Sequence, residues 1–205
     1  MNQITKKGSL PLVEDFYTLQ GEGRHAGRAA YFIRLGGCDV GCSWCDAKTT
    51  WKADNFPQTA VAEIVGRATS YPAGQIVITG GEPTLYDLVE LTTALHEKGL
   101  EIFLETSGTN PIRGAMDWIC LSPKKQDPPL RDNLTRANEL KVIIESEQDI
   151  AWAEQCAQKV SRHCLLYLQP EWSRRAALTP VIIDYIKAHP EWRISLQTHK
   201  YMNIP

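Results

Sequence analysis

Three cysteines, Cys38, Cys42 and Cys45, fall within the stretch RLGGCDVGCSWCD from Arg34 to Asp46, with Trp44 just before the third thiol. The spacing is C-x3-C-x2-C. Three thiolates on one short loop suit an iron–sulfur cluster that takes only three of its four ligands from protein and leaves one iron open. Soft thiolates also suit zinc, but a structural zinc loop shows paired C-x2-C knuckles with a second Cys or His pair downstream, and none follows. A disulfide framework fits less well, because three cysteines cannot pair among themselves and no secretory signal is expected in the first twenty residues, which carry Lys6, Lys7, Glu14 and Asp15. Burial of all three as small hydrophobes is disfavoured by the Gly, Asp and Ser between them. Cys120, Cys156 and Cys164 are scattered among apolar neighbours, and for them that reading is the better one.

These thiols need a frame. Tyr31–Leu35 reads as a strand running into the cysteine loop. Four further β-branched or apolar runs each end in a polar segment: QIVIT in Thr79-Gly80-Gly81-Glu82, EIFLE in Glu105-Thr106-Ser107-Gly108, WICL in Ser122-Pro123-Lys124, and CLLYL in Gln169-Pro170. LKVII and WRISLQ are the remaining strands, the latter leading into Thr198-His199-Lys200. Between strands, Val61, Ile64, Val65 and Ala68 share one helical face. Leu85, Leu88, Val89, Thr92 and Leu95 share another, in a helix from Leu85 to Lys98 that Gly99 closes. Ile150, Ala153, Ala157 and Val160 mark a third, and Thr179-Pro180 is expected to begin a fourth. Alternating strands and helices imply a parallel sheet with crossovers. Six or seven strands are too few for a complete eight-fold barrel, and the turns lack the G-x-G-x-x-G of a dinucleotide-binding open sheet. One domain over 1–205 is expected. Ligands in such sheets bind at the carboxyl ends of strands, and every polar turn above falls on the rim that carries the cysteines.

A chain of 205 residues with net charge −2 and no basic block is an ordinary globular protein, with nothing that favours nucleic acid or a membrane surface. No segment approaches the ~20 apolar residues of a membrane span. A cytoplasmic location is expected, where thiols stay reduced.

With the cysteine loop, Trp44 and the GGEP segment (Gly80 to Pro83) in view, the chain resembles radical S-adenosylmethionine enzymes. TLQGEG, RLGGCDVGCSWCD, VITGGEP, ETSGT, LSPK and LQTHKYMNIP together resemble the 7-carboxy-7-deazaguanine synthase family, over nearly the whole chain from Phe16 to Pro205. That resemblance implies an α/β partial (incomplete) TIM-type barrel, a reduced radical SAM core, acting as a homodimer with an external electron donor such as a flavodoxin or ferredoxin. It implies ring contraction of 6-carboxy-5,6,7,8-tetrahydropterin to 7-carboxy-7-deazaguanine with loss of ammonia, on the route to queuosine and related deazapurines. Cys38, Cys42 and Cys45 would hold a 4Fe-4S cluster. Trp44, Cys45, Asp46, Gly81, Ser122, Pro123 and Lys124 would form the S-adenosylmethionine site. Leu19, Gln20, Gly21, Glu22, Arg34, Thr79, His199 and Pro205 would meet the pterin, with Arg34 clamping its carboxylate and Glu22 reading an N–H edge.

In one place the chain departs from the pattern. The family has Asp-Thr or Asp-Ser after the third cysteine, the hydroxyl helping to hold Mg2+ on the substrate carboxylate, whereas here the pair is Asp46-Ala47. Asp46, Thr49 or water is then left to complete the ion's shell, and stimulation by magnesium is still expected. A glycyl-radical activating enzyme shares the cysteine spacing but would need a cleft open to protein, which TLQGEG and QTHK argue against. A non-catalytic iron–sulfur or zinc module would leave GGEP and the other rim motifs idle.

Overall fold

The structure is a computed structural model and describes residues 8–205; Lys6 and Lys7 lie outside the described residues. A nine-stranded sheet forms its centre, built from β1 (Ser9–Leu19), β2 (Ala29–Leu35), β3 (Gln58–Ala60), β4 (Gln75–Gly80), β5 (Glu101–Thr106), β6 (Trp118–Leu121), β7 (Glu139–Ile144), β8 (Leu165–Pro170) and β9 (Trp192–Ile194). The helices are α1 (Val61–Ala68), α2 (Val89–His96), α3 (Arg131–Arg136), α4 (Asp149–Ala157), α5 (Arg175–Ala188) and α6 (Thr198–Met202). The spatial order is β3-β1-β2-β4-β5-β6-β7-β8-β9. From β2 onward neighbours pair in parallel, while β1 pairs antiparallel with both β2 and β3.

The strands expected from sequence are all present, and β1 and β3 are additions. β1 hides its strand character behind Pro11 and a register shift between Leu12 and Glu14, which break its alternation. α2 starts at Val89, after a 3-10 turn over Pro83–Leu85, and Gly99 takes the left-handed φ of 74° that follows its end. α5 does not begin at Thr179-Pro180. It starts at Arg175 and carries Pro180 inside it. The Glu171 carboxylate accepts N–H bonds from Ser173 and Arg174 and fixes the preceding turn, so the helix is already under way before the proline. Pro180 is exposed, and water can satisfy the carbonyl that its missing N–H leaves free.

Period-two alternation sorts the strand residues. Ile33, Leu35, Ile76, Ile78, Ile102 and Leu104 face outward under Ile64, Leu91 and Leu95 of α1 and α2. Leu140, Val142, Ile144 and Leu168 pack beneath Ala153, Leu178 and Ile182 of α4 and α5, together with Cys156 and Cys164. The other face looks into a curled interior, whose lower layer is Ala30, Phe32, Val77 and Phe103 with Phe16 and Trp118.

The sheet is open, since β3 and β9 do not pair, yet it bends far enough for its two sides to touch. Gly23 N–H donates to Ser195 Oγ at 3.0 Å, and Thr198 N–H to Gly21 O at 2.9 Å. These bonds join the β1–β2 connection to the segment after β9 and make the architecture a partial barrel. That connection also plugs the amino-terminal end of the interior. Arg24 N–H donates to Glu139 Oε2 at 3.0 Å, and the His25 ring lies 4.5 Å from Phe103 and 4.8 Å from Trp118.

Candidate active site

The cysteine loop leaves β2 at Leu35 and is held on both sides by main chain. Gly37 N–H donates to Thr50 O at 2.7 Å and Cys38 N–H to Trp51 O at 3.1 Å. Across the loop, Gly81 N–H donates to Leu35 O at 2.9 Å, Glu82 N–H to Gly37 O at 2.8 Å, and Tyr86 Oη to Gly36 O at 2.6 Å. A Cβ on Gly80 would lie 2.0 Å from Leu35 O, and one on Gly81 2.1 Å from Gly37 O. The two glycines of GGEP are therefore required because two backbones meet there.

Glu82 of the same motif borders the cavity but is 1% exposed, its carboxylate committed to the protein. Its carboxylate accepts from Thr84 N–H at 3.0 Å, Thr84 Oγ1 at 2.6 Å, Thr106 Oγ1 at 2.5 Å and Ser107 N–H at 2.8 Å, tying the β4 turn to the β5 turn.

Cys38, Cys42 and Cys45 are free thiols lining a cavity of about 650 Å³, a size ordinary for a small-molecule site. Burial pushes the Cys38 and Cys42 thiols up; for Cys42 the Lys124 ammonium and Gln126 oppose it. Gln126 Nε2 donates to Cys42 Sγ at 3.1 Å and Ala47 N–H to Cys45 Sγ at 3.3 Å. The Trp51 indole N–H is buried in the same wall with no partner among the described residues. An orphaned donor and a triad of soft thiols, Cys42 buried and Cys38 and Cys45 half-buried, fit a group that brings acceptors and positive charge, as an iron–sulfur cluster with its cofactor does. Among the described residues no three or more His, Cys, Asp or Glu side chains form a cage that could hold a single metal ion.

The residues expected around the cofactor gather beside this loop, with one exception. Trp44, Asp46, Gly81, Ser122 and Lys124 line the cavity, while Pro123 is buried behind it. Lys124 Nζ donates to Ser122 Oγ at 2.9 Å and lies 5.6 Å from the Trp44 ring centre. Burial lowers its pKa.

Leu19, Gln20, Gly21, Glu22, Arg34, Thr79, His199 and Pro205, expected around the pterin, all line the same cavity. The structure also places here a half-buried acceptor, Glu105, which takes Gln20 Nε2 at 3.0 Å and Thr79 Oγ1 at 3.1 Å. It also adds Lys141, which pairs with Glu22 inside the barrel. Burial would raise the Glu22 carboxyl, but the Lys141 ammonium outweighs it and holds the group below its ordinary value. Burial would lower Lys141 as well, and Cys120, Glu22 and Glu105 around it keep it well above the ordinary range. Glu22 thus spends part of its acceptor capacity within the protein. Arg34 likewise gives Nε to Glu14 at 2.8 Å, leaving its two Nη groups without a protein partner among the described hydrogen bonds. His199 lies so close to Gly21 that a Cβ there would meet Nδ1 at 2.2 Å. Burial lowers its pKa, which favours the neutral imidazole at pH 7.

Gln169, whose Oε1 accepts Ser195 Oγ at 2.6 Å, and Lys200, bonded to Asp46 Oδ2 at 2.6 Å, complete the wall. Glu105 ends the EIFLE run on the polar rim, whereas Lys141 stands in the sequence only as a charge inside an otherwise apolar strand.

Comparison with known proteins agrees with this geometry. A sequence profile of the radical SAM superfamily matches residues 32–145, the span from β2 through β7. The 7-carboxy-7-deazaguanine synthase of Flavobacterium psychrophilum is 52% identical over 202 residues, covering 98% of this chain and 96% of that one. The Synechocystis enzyme of the same name is 49% identical over 196 residues, covering 96% and 94%. The crystal structure of QueE from Escherichia coli superposes with a TM-score of 0.82 at 34% identity, covering 92% of this chain and 93% of that one. This chain belongs to the 7-carboxy-7-deazaguanine synthase family within the radical SAM superfamily.

Proposed function

We propose that the chain converts 6-carboxy-5,6,7,8-tetrahydropterin to 7-carboxy-7-deazaguanine and ammonia, as a radical SAM lyase of deazapurine biosynthesis. The observation that carries the reading is the sharing of one cavity by three free thiols and a wall of fixed polar groups. When bound, the cluster and S-adenosylmethionine supply reductive cleavage of a C–S bond and, with it, removal of a hydrogen atom from carbon.

The chain's own residues bind, orient and exclude water. Cys38, Cys42 and Cys45 would hold three irons of the cluster. The GGEP turn, Ser122 and Lys124 line the neighbouring cofactor site, with the Trp44 ring beside Lys124. The Nη edge of Arg34 is free to take a carboxylate oxygen. Glu105 and Glu22 present acceptors to the N–H edge of a pterin, and Lys141 keeps Glu22 ionised. His199, favoured as neutral, can accept or donate one proton at the same wall. The His25 plug closes the lower end of the interior to bulk water.

The family resemblance further supports a single core domain, a homodimer, an external one-electron donor of the flavodoxin or ferredoxin type and a cytoplasmic setting. No helix among the described residues is long and apolar enough to cross a membrane. Anaerobic reconstitution followed by incubation with the carboxytetrahydropterin, S-adenosylmethionine and reductant tests the reading. A deazaguanine carboxylate with one ammonia per product is expected. Turnover only with a glycine-containing protein loop would move the chain to the glycyl-radical activating enzymes.

A further inference from the structure

The mouth of the cavity lacks the hydroxyl expected after Asp46 and holds a cation of its own. Ala47 contributes a methyl group, and its N–H is committed to Cys45 Sγ at 3.3 Å. The nearby Thr50 hydroxyl is also committed, donating to Ala47 O at 2.8 Å. Asp46 Oδ2 accepts Lys200 Nζ at 2.6 Å and Gln197 Nε2 at 3.3 Å. Lys200 is fixed from two further sides, by Gln197 Oε1 at 3.0 Å and by the Trp172 ring, whose centre is 4.8 Å away.

An ammonium has three donors and no acceptor. Asp46 and Gln197 take two of them, and the third has no protein partner among the described hydrogen bonds. Lys200, Asp46, Ala47 and Arg34 all line the cavity. A divalent ion brought to Asp46 would have to displace this ammonium or sit beside it against Coulombic repulsion. Beyond the hydroxyl of Thr49, which also lines the cavity, it would have to take its octahedral oxygens from water.

Resting on the function proposed above, the geometry points to Lys200 as the fixed cation that receives the substrate carboxylate in this chain, in place of a magnesium ion. The free N–H of Lys200 and the Nη edge of Arg34 then form a two-sided carboxylate site that is complete without metal. Asp46 acts as the positioning residue that holds the ammonium in place. Magnesium stimulation, expected from the family pattern, is correspondingly absent.

Two readouts on the cluster-loaded, chelator-treated enzyme test this. The first is turnover with and without magnesium chloride, where rates within about twofold of each other are expected. A severalfold rise with magnesium, reversed by chelator, would overturn the proposal. The second is equilibrium binding, without reductant, of the carboxytetrahydropterin and of tetrahydropterin lacking the carboxylate. Lys200→Met is expected to weaken the first by roughly ten- to hundredfold, the range of a lost charge-assisted hydrogen bond, and to leave the second unchanged. Lys200→Arg should recover part of the loss, and Lys200→Met with Ala47→Thr should become magnesium-dependent. Equal weakening of both ligands, or of neither, would contradict the role of Lys200. Binding is read without turnover, so a failure to form deazaguanine would count against the proposed function and leave this inference separately decided.

Discussion

The cysteine loop and the charged wall face each other across one cavity, but different forces hold them. The loop is fixed by main-chain hydrogen bonds to β4 and to Thr50 and Trp51, with glycines where the backbones touch. The wall is fixed by side chains: Glu22 with Lys141, Glu105 with Gln20 and Thr79, and Asp46 with Lys200. Removing a thiol from the loop therefore deletes a ligand and leaves the scaffold standing. Removing one charge of the Glu22–Lys141 pair leaves its partner buried and unpaired, so there chemistry and stability fail together. Soft metal chemistry needs ligands placed by backbone, whereas a polar substrate needs groups whose charge is set by neighbours.

Replacement of a cluster ligand should give the largest effect. Cys42→Ala is expected to lose cluster iron and drop product formation by at least about a thousandfold, the scale on which a required cofactor is lost. Its thermal midpoint before reconstitution should stay close to that of the wild-type apoprotein. Iron analysis and thermal melts check the two halves of that statement, and a collapse of the melt would mean that the loop is not independent of its thiols.

On the opposite wall, Glu22→Gln leaves the Lys141 ammonium, only 6% exposed, without its partner. A loss of about 3 kcal/mol is expected, or roughly 6–12 °C in Tm for a chain of this size. Glu22→Gln with Lys141→Met should recover part of it. The pair also predicts a pH dependence. Glu22 is held below its ordinary 4.5, so its contribution is fully present above that pH and is lost as pH falls through the depressed value. Lys141 is held above its ordinary 10.5, so its contribution persists below that pH and is lost as pH rises through the raised value. Tm of the wild type should fall more steeply below about pH 4.5 than that of the double variant.

A smaller change is expected from Arg34→Gln, which removes the free Nη edge. KM for the carboxytetrahydropterin should rise roughly ten- to hundredfold with little change in kcat, because the contact serves ground state and transition state alike. Steady-state kinetics separate this from a catalytic role, in which kcat would fall instead. The smallest effect belongs to Cys156→Ala. This thiol lies on the buried face of α4 in the outer core, so iron content and turnover should be unchanged and stability should fall by about 1 kcal/mol.

The contrast between loop and wall also explains what could be read from sequence. The C-x3-C-x2-C loop is local, and so are the apolar runs of β2 and β4 through β9, so both are legible residue by residue. β1 is not, because Pro11, Glu14 and Asp15 interrupt its pattern and its pairing is antiparallel at the edge of a parallel sheet. The start of α5 was misplaced because Pro180 looks like a first-turn residue, while the actual organiser, Glu171, acts from the preceding turn. Leu19 to Glu22 were legible as site residues through motif resemblance, yet their means of reaching the cavity was not. The plug depends on contacts with Glu139, Ser195 and Thr198, far along the chain. Lys141 stands in LKVII as a lone charge in an apolar strand, but its partner Glu22 lies 119 residues away, a separation that leaves no local signal.

The central claim is that loop and wall serve one reaction in one cavity, and the family resemblance implies that S-adenosylmethionine is returned rather than used up. The most direct test is the ratio of deazaguanine carboxylate formed to S-adenosylmethionine lost, with the cofactor supplied below the amount of pterin. Many products per cofactor, with little 5′-deoxyadenosine, is the predicted result. Stoichiometric accumulation of 5′-deoxyadenosine without the deazaguanine would contradict it.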